Sequence, residues 1–573
     1  MKTSSSSNPS FPLRRCPFKS PSPRFRSPPT CKLSETLMAE SMERISDALR
    51  EQSSGSQAMD LLYCVNDLQR AMQLLVIENS SSELLVRSHS LMQIAMKRLQ
   101  NEIFIIVTRN QISVPDSAVS DLKAIANCMV GAGYGKECAE VYTLIRKSMV
   151  DEALYDLGVN NLSTSQIQKM DWKVLEKRVN NWISASEVAV KTLFTREKIL
   201  CNEVFSASDE ISKSCFAEIT NDGAVSVLRF AGTVGKYNKL SVEKIFRFLD
   251  LYQGISKLLP EIDSIFDSSS VSAVRSQAVR SRLKLGVAIR AMLARFETAI
   301  QKDSSTTPPG GAVHPLTRYV MNYLVFLSDY TGDVSEIIAD WPSSMQSPLP
   351  EAYFSIQRPG EDDAGPTAVS ERFAWLILLL LCKLDGKTKM YRDVPLSYLF
   401  LANNLNYVVS KVRHSNLDTM LGSGWASMHE EKVKQYIANY ERMGWEKVLS
   451  SLPDDPTSDI SGAVLKNRFV KFNSGLEEAL QKQSSWVIPD PELRDRVKVS
   501  LVNRIVPGYR VLFDGYRSKL QDGEVVVKFN PDSLQDCLSD MFDVNMGNVL
   551  HRTKLHTSII HGHRQHRRVL TGH

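Results

Sequence analysis

Three alternating glycines followed by a lysine are the most suggestive chemical pattern in this 573-residue chain. Gly131, Gly133 and Gly135 precede Lys136 within "NCMVGAGYGKECAEVY" (127–142). Glycine-rich loops that end in lysine hold phosphate groups, because their backbone N–H groups and the ammonium contact the anion. The stretch therefore raises the hypothesis of a nucleotide-dependent enzyme.

The spacing and the flanking residues argue against a phosphate loop. A P-loop needs Ser or Thr after its lysine to hold the metal, whereas Lys136 is followed by Glu137. The dinucleotide fingerprint needs a glycine where Lys136 stands, and both motifs need a strand upstream. The upstream apolar residues instead recur at helical spacing, namely Leu122, Ile125, Ala126 and Met129. The pattern favours a turn between two helices with a left-handed glycine, and the nucleotide enzyme stays a remote alternative.

Other residues with catalytic chemistry are scattered. The sequence holds no HExxH, GxSxG or zinc-type Cys/His spacing. His314 precedes Pro315, which predicts the first residues of a helix rather than a catalytic base. "HGH" at 561–563 could hold a transition metal or belong to an unstructured basic tail. We expect no catalytic residue, no metal and no cofactor, and hence no enzyme.

Charge is concentrated at the two ends of the chain. Residues 1–34 carry seven Lys/Arg and residues 551–573 carry five, with no acid in either segment. Subtracting these 7 and 5 charges from the net +5 leaves −7 for residues 35–550. A nucleic-acid-binding domain is itself basic, so nucleic acid is not an expected partner.

The N-terminal segment and the cysteines bear on the compartment. Residues 1–34 are rich in Ser and Pro, which predicts a disordered basic arm, and the same composition is compatible with an organelle transit peptide. No apolar run is long enough to span a bilayer, and no signal peptide is apparent. Nine cysteines without CxxC pairs favour reduced thiols in the cytosol.

Helical periodicity dominates from residue 35, so we predict an all-α fold. Apolar residues recur at helical spacing along two stripes, Leu61, Val65, Leu68, Met72 and Leu75, and Met92, Met96, Leu99, Ile103 and Ile106. Ser163 and Gln166 predict a capping box ahead of a helix with Trp172 and Leu175. A later pattern places Asn403 on the polar face of a helix. The only clear strand signal is "VVVKF" at 525–529.

The segment 494–519 concentrates charge inside the folded body. It holds seven Lys/Arg against Asp495 and Asp514, with Tyr509 and Phe513 between them. A solvated helix face explains this pattern, and so does contact with anionic lipid headgroups. Aromatic residues among cations also suit nucleic acid, but Val499, Leu501 and Ile505 indicate an amphipathic core helix.

Long collinear blocks resemble plant-type members of the 70-kDa subunit family of the exocyst, the complex that tethers secretory vesicles to the plasma membrane. The blocks cover roughly residues 60–545 and comprise 121–159 (with the glycine corner), 313–330, 378–412, 421–425, 506–516 and 525–542. The resemblance implies an elongated rod of stacked α-helical bundles without a catalytic site.

The resemblance also implies partners and a site. Family members contact other exocyst subunits and Rho-class GTPases, and their C-terminal bundle binds phosphatidylinositol bisphosphate through basic residues. A family motif like "EKYIKY" aligns with "EVVVKF" (524–529), so Lys528 matches the second lysine and Val525 replaces the first. We expect Arg510, Arg517, Lys519 and Lys528 to form the lipid-binding surface of a cytoplasmic protein that associates peripherally with the plasma membrane.

The expected organisation has four parts. A basic arm (1–34) precedes an N-terminal helical region (35–185), an exocyst-type rod (186–545) whose last bundle begins at about residue 463, and a His-rich tail (546–573). A diverged paralogue that acts in defence- or autophagy-related membrane traffic, outside the holocomplex, is the alternative function.

Overall fold

The computed structural model describes residues 30–50, 57–110, 114–159, 162–237, 241–267, 271–339, 368–453, 461–519 and 528–542. These residues form α-helices, short 3₁₀ or π turns and connecting loops, and they contain no strand. The all-α prediction is therefore confirmed. Most of the expected strand at 525–529 lies outside the described residues. Among the described helices, none combines the length and apolar character needed to cross a membrane.

The helices vary from one turn to eight. The first eleven are α1 (Thr30–Arg50), α2 (Gln57–Glu78), α3 (Glu83–Asn110), α4 (Asp116–Gly131), α5 (Gly135–Asp156), α6 (Thr164–Lys169), α7 (Trp172–Val188), α8 (Thr195–Val204), α9 (Asp209–Val234), α10 (Ile245–Ile265) and α11 (Ser272–Lys302). The others are α12 (Pro315–Ser328), α13 (Thr331–Ile338), α14 (Ala368–Lys387), α15 (Val394–Arg413), α16 (Leu417–Leu421), α17 (Ser423–Gly444), α18 (Glu446–Leu449), α19 (Gly462–Gln483), α20 (Pro491–Lys519) and α21 (Pro531–Ser539).

The chain divides into two compact units. Unit 1 comprises Met1–Asn161, Ser184–Leu228 and Leu258–Ala278, and unit 2 comprises Leu162–Ile183, Arg229–Lys257 and Val279–His573. Each unit consists of three separate segments of the chain, whereas the expected organisation had a single boundary near residue 185. That boundary, the start of the last bundle near 463 and the rod shape stay predictions. Helix α1 begins at Thr30, inside the segment expected to be a disordered arm.

In unit 1, α1 and α2 run antiparallel. The hydroxyl of Ser34 donates to Glu78, and the guanidinium of Arg44 lies 2.9 Å from the carboxylate of Asp67. The two predicted apolar stripes supply much of the core, since all of their residues except Met72 and Ile106 are buried. Burial of these faces, rather than helix propensity, holds such helices together.

A buried ion pair joins α5 to α8 in unit 1. Arg146 and Glu197 are fully buried, and Arg146 Nε donates to Glu197 Oε2 at 3.2 Å while a second nitrogen contacts the other carboxylate oxygen. Two contacts in a fork arrangement satisfy both charges. Removal of either partner would leave an uncompensated buried charge.

The glycine corner is a helix C-terminus, as the sequence pattern predicts. Gly133 has φ 88°, and its N–H donates to the carbonyl of Val130 at 3.1 Å. The N–H of Tyr134 donates to Met129 O at 2.8 Å, which completes a Schellman motif. Only Gly133 in this corner is left-handed. Gly135 is the first residue of α5, and a Cβ there would lie 3.0 Å from Ile211 Cδ1.

The predicted capping box is present, but its helix is shorter than expected. Ser163 Oγ accepts from the N–H of Gln166, whose side chain accepts from the Ser163 N–H. Helix α6 ends after six residues because Met170 is extended, with ψ 141°. Asp171 Oδ2 then accepts from the N–H of Lys173 at 3.0 Å and begins α7, which carries Trp172.

Two adjacent asparagines organise the interior of unit 2. Asn404 Oδ1 accepts from the backbone N–H of His314 at 2.9 Å and from Thr317 Oγ1 at 2.6 Å. Asn403 Nδ2 donates to the carbonyls of Gly311 and Val487, both at 2.8 Å. Asn403 was expected on a polar helix face but is buried, because its amide satisfies these two loop carbonyls.

His314 caps α12, which confirms its predicted place at the start of a helix. Its Nδ1 accepts from the N–H of Leu316 at 3.0 Å, so the ring proton is on Nε2, 3.2 Å from Thr306 O. Burial, together with the nearby Lys387 ammonium, lowers the pKa of His314, although Asp303 opposes this shift. The surroundings of His314 therefore favour the neutral imidazole over the charged form.

We predict that Gly133→Ala lowers the free energy of unfolding by about 1–2 kcal/mol, because a Cβ is strained in the left-handed region. Gly131→Ala is the matched control, since Gly131 lies at the end of a helix with nothing within 4 Å of the added Cβ. Lys136→Ala should also be neutral. Denaturant midpoints measure all three, and a loss of function from Lys136→Ala with folding intact would support the phosphate-loop hypothesis.

We predict that His314 makes unit 2 less stable in mild acid. Its folded pKa lies below its unfolded value of about 6.5, so the unfolded chain binds the proton more tightly. Stability is therefore complete above about pH 6.5 and falls as the pH drops below it. His314→Asn keeps a capping side chain without the titration. Its melting temperature should fall less than the wild type's between pH 7.5 and 5.5, and parallel falls would contradict the prediction.

Candidate functional surface of the C-terminal helices

Tyr509 of α20 contacts both α19 and the segment that precedes α21. The ring of Tyr509 in α20 is fully buried and stacks on Phe472 of α19, with centroids 4.5 Å apart. Its hydroxyl donates to the carbonyl of Phe529 at 2.8 Å, and burial raises its pKa. This hydrogen bond fixes the backbone beside Lys528, so the position of Lys528 depends on the aromatic core.

The start of α21 agrees with the sequence pattern. Asn530 Oδ1 accepts from the N–H of Ser533 at 2.6 Å, and Pro531 occupies the first helical position. The apolar side chains after this cap are buried, namely Leu534, Leu538, Met541 and Phe542. The exposed Lys528 thus lies on a short non-helical segment, directly before the residue that accepts the Tyr509 hydrogen bond and three residues before a packed helix.

Two of the four predicted lipid-binding residues form ion pairs with carboxylates. Arg510 Nη2 lies 3.0 Å from Asp532 Oδ1, and Lys528 Nζ lies 2.6 Å from Glu477 Oε1. The four side chains of these two ion pairs are substantially exposed, from 43% for Lys528 to 84% for Asp532. Exposed pairs of this kind contribute about 0–1 kcal/mol, so a phosphate group could displace the carboxylates at small cost.

The other two predicted residues lie near the end of α20. Arg517 is exposed and lies seven residues after Arg510, on the same face of the helix. Lys519 is the last residue of α20, and its side chain lies outside the described residues, as does Val525. The structure therefore brings Arg510 and Lys528 to carboxylates on neighbouring helices.

Another cation of α20, Arg504, is itself exposed but contacts a buried carboxylate. Arg504 Nη1 lies 3.5 Å from Glu441 Oε2 of α17, and burial raises the pKa of this nearly inaccessible carboxyl. Leu501 and Ile505 are buried as expected, whereas Val499 is 58% exposed. The cations of this segment therefore include one that contacts a buried carboxylate as well as others that face solvent.

The glycine corner does not have the geometry of a phosphate loop. It follows α4 rather than a strand, and the N–H groups of Gly133 and Tyr134 are already bonded to helix carbonyls. A cavity of about 600 Å³ beside it is lined mainly by apolar groups such as Met72, Val76 and Met92. In the described part of the chain, no group of His, Cys, Asp and Glu could hold a metal ion.

The sequence did not indicate the carboxylates of this surface. Glu477 lies 51 residues before Lys528 and belongs to a different helix, so no local spacing links them. Asp532 lies in the first turn of α21, where an acid is common for reasons of helix polarity alone. Contacts of this kind arise from helix packing and carry no sequence signal.

The fold and this surface define a class: an all-α protein whose candidate functional groups are surface cations. Two family models match the chain, the C-terminal model of the Exo70 exocyst complex subunit over residues 180–540 and the N-terminal model of the exocyst complex component Exo70 over residues 34–108. The first match alone covers more than half of the sequence. The chain belongs to the Exo70 family of the exocyst complex.

Individual relatives agree with this assignment. The chain is 31% identical to the exocyst complex components EXO70B1 and EXO70A1 of Arabidopsis thaliana, over 75% of its length and 67% of theirs. It is 25% identical to EXO70I of Medicago truncatula, of which it covers 60%. A solved structure of S. cerevisiae Exo70 superposes with a TM-score of 0.58 at 16% identity, covering 90% of this chain and 99% of the yeast chain. At that identity the structural likeness shows the fold alone.

Proposed function

We propose that this protein is a non-enzymatic exocyst subunit that helps to tether secretory vesicles to the plasma membrane. The family match over residues 180–540 carries the proposal, because its relatives are named as exocyst components. The protein acts through surfaces rather than through a pocket. Its expected partners are the other exocyst subunits and a Rho-class GTPase, and its expected place is the cytoplasmic side of the plasma membrane.

A second part of the proposal concerns lipid. Arg510, Arg517, Lys519 and Lys528 contact a phosphoinositide headgroup, with Asp532 and Glu477 as internal competitors for two of the cations. Each basic residue near an anionic surface is worth about 1 kcal/mol. Val525 in place of the family lysine removes one such contact, so attachment is weaker than that of relatives with both lysines.

The alternative is a diverged paralogue that works in defence- or autophagy-related traffic outside the holocomplex. The observation that favours it is the same Val525 substitution, because a weaker membrane site suits a changed task.

We predict that the other exocyst proteins are recovered with this protein from native tissue, at levels comparable to one another. Components of an obligate assembly share large interfaces and survive gentle purification. Mass spectrometry of the purified material measures their stoichiometry. Recovery of the protein without them would support the paralogue that acts outside the complex.

We predict that substitution of the cations and substitution of the carboxylates that pair with them have opposite effects on binding to liposomes that contain phosphatidylinositol bisphosphate. The triple change Arg517→Glu, Lys519→Glu and Lys528→Glu should weaken binding by several kcal/mol, at about 1 kcal/mol per charge and more for inversion. Glu477→Gln with Asp532→Asn should strengthen it by up to about tenfold, because two cations lose a competing carboxylate. Liposome co-sedimentation at several salt concentrations measures both, since Coulombic attraction is screened by salt.

Deletion of residues 551–573 is the control for this experiment. That tail carries five basic residues and could cause the same salt dependence without a folded surface. If the deletion abolishes binding while the triple change leaves it intact, the C-terminal surface is only a solvated helix face. Failure of the lipid site would leave the exocyst assignment unaffected.

A further inference from the structure

A stripe of apolar side chains is exposed along α11 in unit 2. Val279, Leu283 and Val287 occur at i, i+4 and i+8 and are 39%, 64% and 58% exposed. Residues at this spacing lie on one face of a helix over successive turns. Single exposed apolar residues are normal on protein surfaces, but an ordered stripe of three marks an interaction surface.

Cations that have no carboxylate partner among the described residues flank this stripe. Helix α11 carries seven Lys/Arg and one acid, Glu297, which accepts from Trp375 Nε1 at 2.9 Å. Arg280 and Lys284 lie beside the stripe, and with Lys236 they form no ion pair to any carboxylate of the described residues. Other cations of α11 have partners, since Arg282 pairs with Glu336 and Arg290 donates to Ile337 O at 2.6 Å.

The end of α9 packs tightly enough to place Lys236 beside this cluster. A Cβ on Gly232 would lie 2.5 Å from Ser281 Oγ, and one on Gly235 would lie 3.2 Å from the Lys284 carbonyl carbon. Only glycine permits this close approach of two helix backbones. Burial, Lys236 and Arg280 together lower the pKa of Lys284, so the fold holds like charges close to one another. Such repulsion is relieved by an anionic partner.

We propose that Lys236, Val279, Arg280, Leu283, Lys284 and Val287, here called the α11 surface, bind an acidic amphipathic helix of a partner protein. The straight, narrow stripe matches the apolar ridge of a second helix, as in ridge-into-groove packing. Asp and Glu beside that ridge would neutralise Lys236, Arg280 and Lys284. A second copy of this chain does not fit, because two α11 surfaces facing each other would oppose cation to cation.

This inference goes beyond the exocyst assignment and the lipid surface. The α11 surface comprises residues of α11 and Lys236, which follows the end of α9, whereas the residues proposed for lipid belong to α20 and the segment before α21. Its test requires neither the other exocyst proteins nor phosphoinositide, so the two proposals can fail separately.

The test uses the full chain and a fluorescent synthetic helical peptide with leucines at i, i+4, i+7 and i+11 and glutamates beside them. Fluorescence anisotropy should show binding that weakens as salt is added. Leu283→Ser with Lys284→Gln should reduce affinity by about tenfold or more, through lost apolar burial and one lost charge. The matched control is Val470→Ser with Lys471→Gln on α19, another exposed apolar residue followed by an exposed lysine, which should leave affinity unchanged.

Unchanged melting temperatures of both variants exclude misfolding as the cause of any loss. The proposal is overturned if the peptide does not bind, if both double variants bind like wild type, or if a scrambled peptide of equal composition binds equally well. Vesicles of phosphatidylcholine and phosphatidylserine form the remaining arm. If Leu283→Ser with Lys284→Gln loses vesicle binding but keeps peptide binding, the α11 surface contacts lipid and the proposed partner is wrong.

Discussion

The packing of unit 2 depends on hydrogen bonds to the backbone groups of a buried loop, which no helix or strand supplies. The loop between α11 and α12 runs through the interior, with Gly310 and Gly311 buried and left-handed. Its carbonyls cannot accept the hydrogen bonds that a helix would supply. The side-chain amides of Asn403 and Asn404 donate to these carbonyls instead. A buried unsatisfied carbonyl would cost about 1–3 kcal/mol, which explains two adjacent asparagines in the middle of a core helix.

The same amides connect distant parts of the unit. Asn403 also donates to the carbonyl of Val487, in the loop that joins α19 to α20, and the Val487 N–H donates to Gly310 O at 2.8 Å. The loop before α12 and the loop before α20 are thus fixed to each other through α15. The direction in which α20 leaves this loop, and with it the surface that carries Arg510 and Arg517, follows from these hydrogen bonds.

Charge has three distinct roles in this protein, and burial separates them. Fully buried Arg146 and Glu197 satisfy each other in the interior of unit 1. The exposed pairs of Arg510 and Lys528 are weak enough to exchange for another anion. The cations of the α11 surface have no carboxylate among the described residues at all, and repulsion between them favours an external partner.

Much of the fold was predictable because helices carry local signals. The apolar stripes of α2 and α3, the Ser163 capping box, the corner at Gly133 and the start of α21 at Asn530 all arise from residues within a few positions of one another. The candidate site was predictable only in part. Lys528 and the helix that follows it were identified from sequence, whereas Glu477 was not, because nothing in the local pattern shows which helix packs alongside.

The sequence by itself determined the helix content, several helix ends and the family, since periodicity, capping residues and family motifs depend on residues that are close together in the chain. Only the tertiary structure decided which polar side chains are buried and which cations are paired. Asn403 occupies a nominally polar helix position yet is buried, and Arg280 and Arg282 are two residues apart yet only Arg282 has a carboxylate partner among the described residues. These outcomes depend on which group of another helix lies within about 3–4 Å, and that distance is set by packing between segments far apart in the chain.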